Sequence, residues 1–62
     1  MRVAIYNDEI EGLNFYPAPL DEPQSYRIVY VDVPEYTWNI WVNARNDWSN
    51  VEEELDFLWN RG

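Results

Sequence analysis

Hydrophobic and polar positions along the 62-residue chain follow a period of two first and a helical period last. Over Arg2–Asn7, Val3 and Ile5 alternate with Ala4 and Tyr6. Successive side chains of a strand point to opposite faces, so this pattern predicts a strand. Asn7 to Gly12 is polar and ends in glycine, a turn signal. Leu13–Tyr16 is a short apolar run that can return as the second strand of a hairpin. Pro17, Pro19 and Pro23 then punctuate a loop through Gln24, because proline cannot donate to a sheet ladder. Tyr26–Val33 is the clearest strand pattern, and Tyr36–Asn43 repeats it with Pro34-Glu35 between. Proline cannot adopt a positive φ, so the expected connection is a three- to five-residue loop on a type I turn with Pro34 at its second position.

The period changes after the polar stretch Arg45–Asn50. Val51, Leu55, Leu58 and Trp59 recur on one helical face. Ser49-Asn50-Val51-Glu52 has the form of a capping box, in which Ser49 accepts from the Glu52 N–H and Glu52 reaches back. The spacing predicts a helix over residues 50–60. The whole reads as one α+β domain spanning 1–62. It consists of a small antiparallel sheet of three to four strands with one C-terminal helix packed on one face.

The faces of the two central segments are unequal. Val29, Val31 and Val33 share one face of their strand; Tyr26, Ile28, Tyr30 and Asp32 share the other. On the next segment Tyr36, Trp38, Ile40 and Val42 share a face, with Trp41 opposite. An even hairpin loop, residues 33–36, pairs Val29 with Ile40 and Val31 with Trp38, leaving Tyr26, Ile28, Tyr30 and Trp41 on the reverse. An odd loop, 33–35, pairs Tyr30 with Trp38 and leaves the valines over. Either register leaves an apolar second face. A helix of this length is about 16 Å long and covers one face of a small sheet. The loop carrying Leu13, Phe15, Tyr16 and Leu20 can fold over part of the remainder. The expected core is Val29, Val31, Trp38, Ile40, Val42, Leu55 and Leu58.

Composition removes most chemistry. There are four basic residues, all arginine, against twelve acidic ones, for a formal charge of −8. Cysteine, histidine and lysine are absent. Without them there is no disulfide, no thiolate or imidazole zinc site, no Ser–His pair and no Schiff-base lysine. A chain this short can hardly wall a cleft around a carboxylate pair, so no enzyme is expected. Asn7, Glu9 and Glu11 before Gly12 resemble the front of a calcium loop. The twelfth position, where the bidentate glutamate belongs, is Ala18. No metal or cofactor is expected. The acidic balance argues against direct nucleic-acid binding and against anionic membranes. No basic segment with an apolar run follows Met1, and no apolar stretch is long enough to span a bilayer. The expectation is a protein of the cytoplasm.

Four Trp, five Tyr and two Phe are a heavy load of rigid apolar surface for so small a domain. Tyr and Trp are the side chains that anchor interfaces. Glu52, Glu53, Glu54 and Asp56 form the densest charge cluster, with no basic residue on the expected helix before Arg61. Glu52 and Asp56 are like charges four apart, an unfavourable pair on a helix. These features point to a small acidic protein-binding module, an inhibitor or accessory subunit docking on a larger basic protein that handles nucleic acid in the narrower version. There its carboxylates would mimic phosphates. Tyr26, Tyr30 and Trp41 are the expected anchors, with Glu52, Glu53, Glu54 and Asp56 steering the approach. Two other classes fit: a structural homo-oligomer, a homodimer at its simplest, burying its second sheet face, and a small-ligand binder using exposed Trp and Tyr.

Overall fold

The computed structural model describes residues 1–44 and 47–61. Strand β1 (Arg2–Asp8) pairs antiparallel with β2 (Gly12–Pro17) on one side and with β3 (Ile28–Asp32) on the other. The sheet order is therefore β2-β1-β3. Helix α1 (Glu35–Asn43) and helix α2 (Trp48–Arg61) follow. The class is α+β, with the C-terminal helix packed against the sheet.

The first hairpin forms where the period and the glycine place it. Gly12 has φ +85°, a region that costs other residues strain. Asp8 closes the turn, its Oδ1 accepting the N–H groups of Ile10 at 2.8 Å and Glu11 at 3.2 Å. The near-match to a calcium loop is thus a turn held by its own carboxylate.

The segment Tyr36–Asn43 is a helix, not a strand. Its alternating aromatic and β-branched residues imitate strand chemistry, yet the same residues carry a helical stripe. Trp41 is buried, Thr37, Trp38 and Ala44 are half-buried, and Tyr36, Ile40 and Val42 are exposed. Pro34 turns the chain out of β3 instead of making a hairpin. It is extended at φ −62°, ψ 152°, and its carbonyl accepts from Thr37 and Trp38 to open α1. The hairpin between residues 26–33 and 36–43, in either register, does not form. Ile40 and Val42, expected in the core, are 58% and 44% exposed.

α2 begins at Trp48, so Ser49 lies inside its first turn and is not the residue before it. That place belongs to Asp47, whose carbonyl accepts the Asn50 N–H and whose carboxylate accepts the Asn50 amide at 2.5 Å.

The core lies between the sheet and the two helices. Val3, Ile5, Val33, Trp41, Val51 and Leu55 are buried there. Leu13, Phe15, Val29, Val31, Trp38, Leu58 and Trp59 pack around them half-buried. The valine face of residues 29–33 is thus the core face. Burying a side chain such as Ile5 or Leu55 contributes about 1.5–3 kcal/mol.

The reverse face is covered in part by the chain itself. Residues 19–23 are held against it, and Ala4 is fully buried. Arg2 fastens the loop. Its Nη1 donates to the carbonyls of Pro19, Leu20 and Glu22 at 3.0, 3.1 and 3.3 Å, while the guanidinium lies 4.3 Å from the Tyr30 ring centre. Tyr16 Oη donates to Glu22 at 2.9 Å, and Tyr30 Oη to the Pro23 carbonyl at 3.1 Å. Leu20, by contrast, is 88% exposed. Leu13 and Phe15, expected to help cover this face, point the other way into the core.

Candidate protein-binding surface

Of the residues expected to bind a partner, Trp41 is displaced most. Expected on the reverse of a sheet, it turns its side chain inward from α1 and is 2% exposed. Its indole N–H donates to Glu54 Oε2 at 2.6 Å, and its ring meets Phe15 edge-on at 5.2 Å between centres. Buried among core residues, it offers no anchor to an incoming surface.

Tyr30 and Tyr26 lie away from α2. Tyr30 stands half-buried on the reverse face under Arg2. Partial burial, then the Glu22 carboxylate, hold its phenol above the ordinary tyrosine range; the same causes, in the same order, raise Tyr16. Tyr26 is 92% exposed at the entrance to β3, with Arg27 over its ring at 5.6 Å. The structure therefore brings Trp41 to Glu54 and separates both from the two tyrosines.

The four carboxylates are exposed along α2, as their spacing requires. Glu52, Glu53 and Asp56 border a hollow against Leu13 on the β2 side. Glu53 and Glu54 border a larger groove, of about 630 Å³, on the α1 side. That groove lies between the helices, with Thr37 and Trp41 on one wall and Phe57 and Leu58 on the other. Phe57 is 62% exposed. It follows Glu53 by four residues, which stacks the two on one helical face. The groove thus has an apolar floor and an acidic rim. Among the described residues of α2, Arg61 is the one basic side chain.

The strand pattern of residues 36–43 hides Tyr36, whereas Phe57 lies in the expected helix but off its apolar stripe. Phe57 falls outside the Val51–Leu55–Leu58 stripe, and that misfit is the signal that it faces solvent. Tyr36 and Ile40, four apart on the outside of α1, become legible once the segment is read with a period of 3.6.

No helix among the described residues is long and apolar enough to cross a membrane. No family model matches the chain, and neither a curated protein nor a solved structure matches it.

Proposed function

We propose that the protein is an acidic protein-binding module that docks on a larger basic protein as an inhibitor or accessory subunit. The observation that carries this reading is the groove between α1 and α2, where exposed Phe57 stands beside Glu53 and Glu54. A groove with an apolar floor and a carboxylate rim fits a long side chain with a cationic head, lysine or arginine, because its stem is apolar and its tip is charged. The unrelieved carboxylates of α2 supply long-range attraction. A phosphate-binding protein is one such partner, with Glu52, Glu53 and Asp56 occupying places meant for phosphates. Phe57 takes the anchoring role that the sequence assigned to Trp41.

Partner capture at two salt concentrations tests this, followed by binding kinetics. Glu53→Gln with Glu52→Gln should slow association and flatten its salt dependence, because exposed charges act at a distance and are screened over about 8 Å at physiological salt. Phe57→Ala should speed dissociation with little change in approach. Association indifferent to salt would remove the electrostatic basis and the phosphate-mimic version with it. Unchanged dissociation would remove the groove.

A further inference from the structure

The two edges of the sheet are finished differently. On the β2 side, Ala18 donates to the Arg2 carbonyl at 3.0 Å. Antiparallel ladders alternate bonded and non-bonded pairs. With Val3 opposite Pro17 and Ile5 opposite Phe15, the N–H positions of Leu13, Phe15 and Pro17 face away from β1. Pro17 has no N–H to offer there, and the Phe15 N–H is taken by Asn14 Oδ1 at 2.8 Å. Most of that edge is closed.

On the β3 side, Val33 donates to the Met1 carbonyl at 2.9 Å and the Met1 amine donates to the Val33 carbonyl at 2.7 Å. The same alternation turns Val29 and Val31 inward, and Ile28, Tyr30 and Asp32 outward. The Ile28 N–H goes to the Ser25 carbonyl at 3.1 Å. Among the described residues nothing accepts the N–H of Tyr30 or of Asp32. This edge therefore keeps a short, regular stretch of open donors and acceptors, the template that strands use to add a neighbour.

We propose that β3 pairs antiparallel with β3 of a second copy, about a two-fold axis through Val31. That register sets Tyr30 of each copy against Asp32 of the other. Four N–H···O bonds form, all from groups open in the single chain. The pairing ends itself, because Ile28 would next face Pro34, where one N–H is already used and the other does not exist. On the core face Val31 meets Val31, and Val29 meets Val33, β-branched pairs that suit a sheet. On the reverse face Asp32, 88% exposed, comes beside Tyr30 of the second copy, whose ring carries Arg2. Beyond the bonded stretch Arg27 lies toward Glu35 of the second copy. No carboxylate stands directly opposite another; Asp32 and its copy are diagonal neighbours on the reverse face, a repulsion that salt screens. The product is a continuous six-stranded sheet, joined by an edge.

Sedimentation and amide exchange between micromolar and millimolar concentration test this. The expected result is a dimer in which the Tyr30 and Asp32 amides gain protection with concentration while the Leu13 amide on the other edge does not. Added salt should tighten the dimer, since each copy carries −8; basic-partner binding has the opposite salt response, so either idea can fail alone. Asp32→Pro deletes one outward donor and no ladder bond within the chain; it also removes the carboxylate that pairs with the Met1 amine at 3.0 Å, so Asp32→Asn, which keeps the N–H, is the control. The proline variant should weaken the dimer about tenfold or more, because two symmetry-related bonds go together. A monomer throughout the range overturns the proposal. So does a dimer whose Tyr30 and Asp32 amides stay unprotected, or protection of those amides only on adding a lysine-rich strand peptide.

Discussion

Trp41 is held in two ways, by packing against Phe15 and by its indole bond to Glu54, and the two can be separated. Trp41→Phe keeps much of the packing and drops the bond, and should cost about 1.5–3 kcal/mol, the range for a hydrogen bond to a charged group. Trp41→Ala removes both and should cost about 3–5 kcal/mol. That matches the whole margin of about 3–5 kcal/mol expected for a domain this small, so the alanine variant should be unfolded. Thermal melting by circular dichroism distinguishes these outcomes, and a cooperative Trp41→Ala protein would contradict the burial. Tyr16 and Tyr30 give a pH dependence. Both phenols titrate above the ordinary tyrosine value in the folded state, through partial burial and then Glu22. The folded state therefore holds these protons more tightly than the unfolded one. Their contribution is complete below the ordinary phenol pKa and is lost as pH rises through the raised folded values. Alkaline titration followed by phenolate absorbance should show two late-titrating tyrosines, and Glu22→Gln should bring them earlier.

Among the elements, β1, β2 and α2 were legible because each has a single period. Residues 36–43 were not, because Tyr36, Trp38, Ile40 and Val42 satisfy a strand while Thr37, Trp38, Trp41 and Ala44 satisfy a helix. Local pattern ties there, and packing decides: as a helix the segment buries Trp41 against Phe15. Read as a strand, the segment offers Trp41 to the candidate site; Phe57 lies in the helix expected over residues 50–60, off its buried stripe, and the four carboxylates stand exposed there as charge demands. The covering loop was legible as a loop but not as a lid, since Arg2 holds it through carbonyls seventeen to twenty residues away. At the start of α2, Asp47 precedes the helix and Ser49 lies within it. Ser49→Ala should change stability by a few tenths of a kcal/mol, whereas Asp47→Ala, which removes a carboxylate at the positive end of α2 and its bond to the Asn50 side chain, should cost about 0.3–1 kcal/mol. A larger loss for Ser49→Ala than for Asp47→Ala in thermal melting would return the helix start to Ser49. Pro17 makes a further prediction. It sits where the ladder needs no donor, so Pro17→Val should leave stability within about 0.5 kcal/mol. It should also raise self-association at high concentration, read by light scattering, because it restores an outward N–H.

At the scale of the whole molecule, charge and stability pull against each other. Glu52 and Asp56 repel along α2, so Glu52→Gln should raise stability by about 0.2–0.5 kcal/mol at low salt, an increment that vanishes at high salt in melting experiments. A surface that gives up stability in this way is consistent with charges kept for another molecule. The crowding of rings at the core has an optical consequence. Phe15 is touched by Trp38, Trp41 and Trp48, at 5.4, 5.2 and 6.1 Å between ring centres. Three of the four tryptophans therefore report on a single spot, where β2 and both helices meet. Their emission and near-ultraviolet dichroism should change together in one step on unfolding. Trp59, near Tyr6 and Ile28 at the far end of the sheet, is the separate chromophore. The chain thus carries its own folding gauge and, thirty or so ångströms of molecule being its longest dimension, an energy donor for any coloured partner label within its reach.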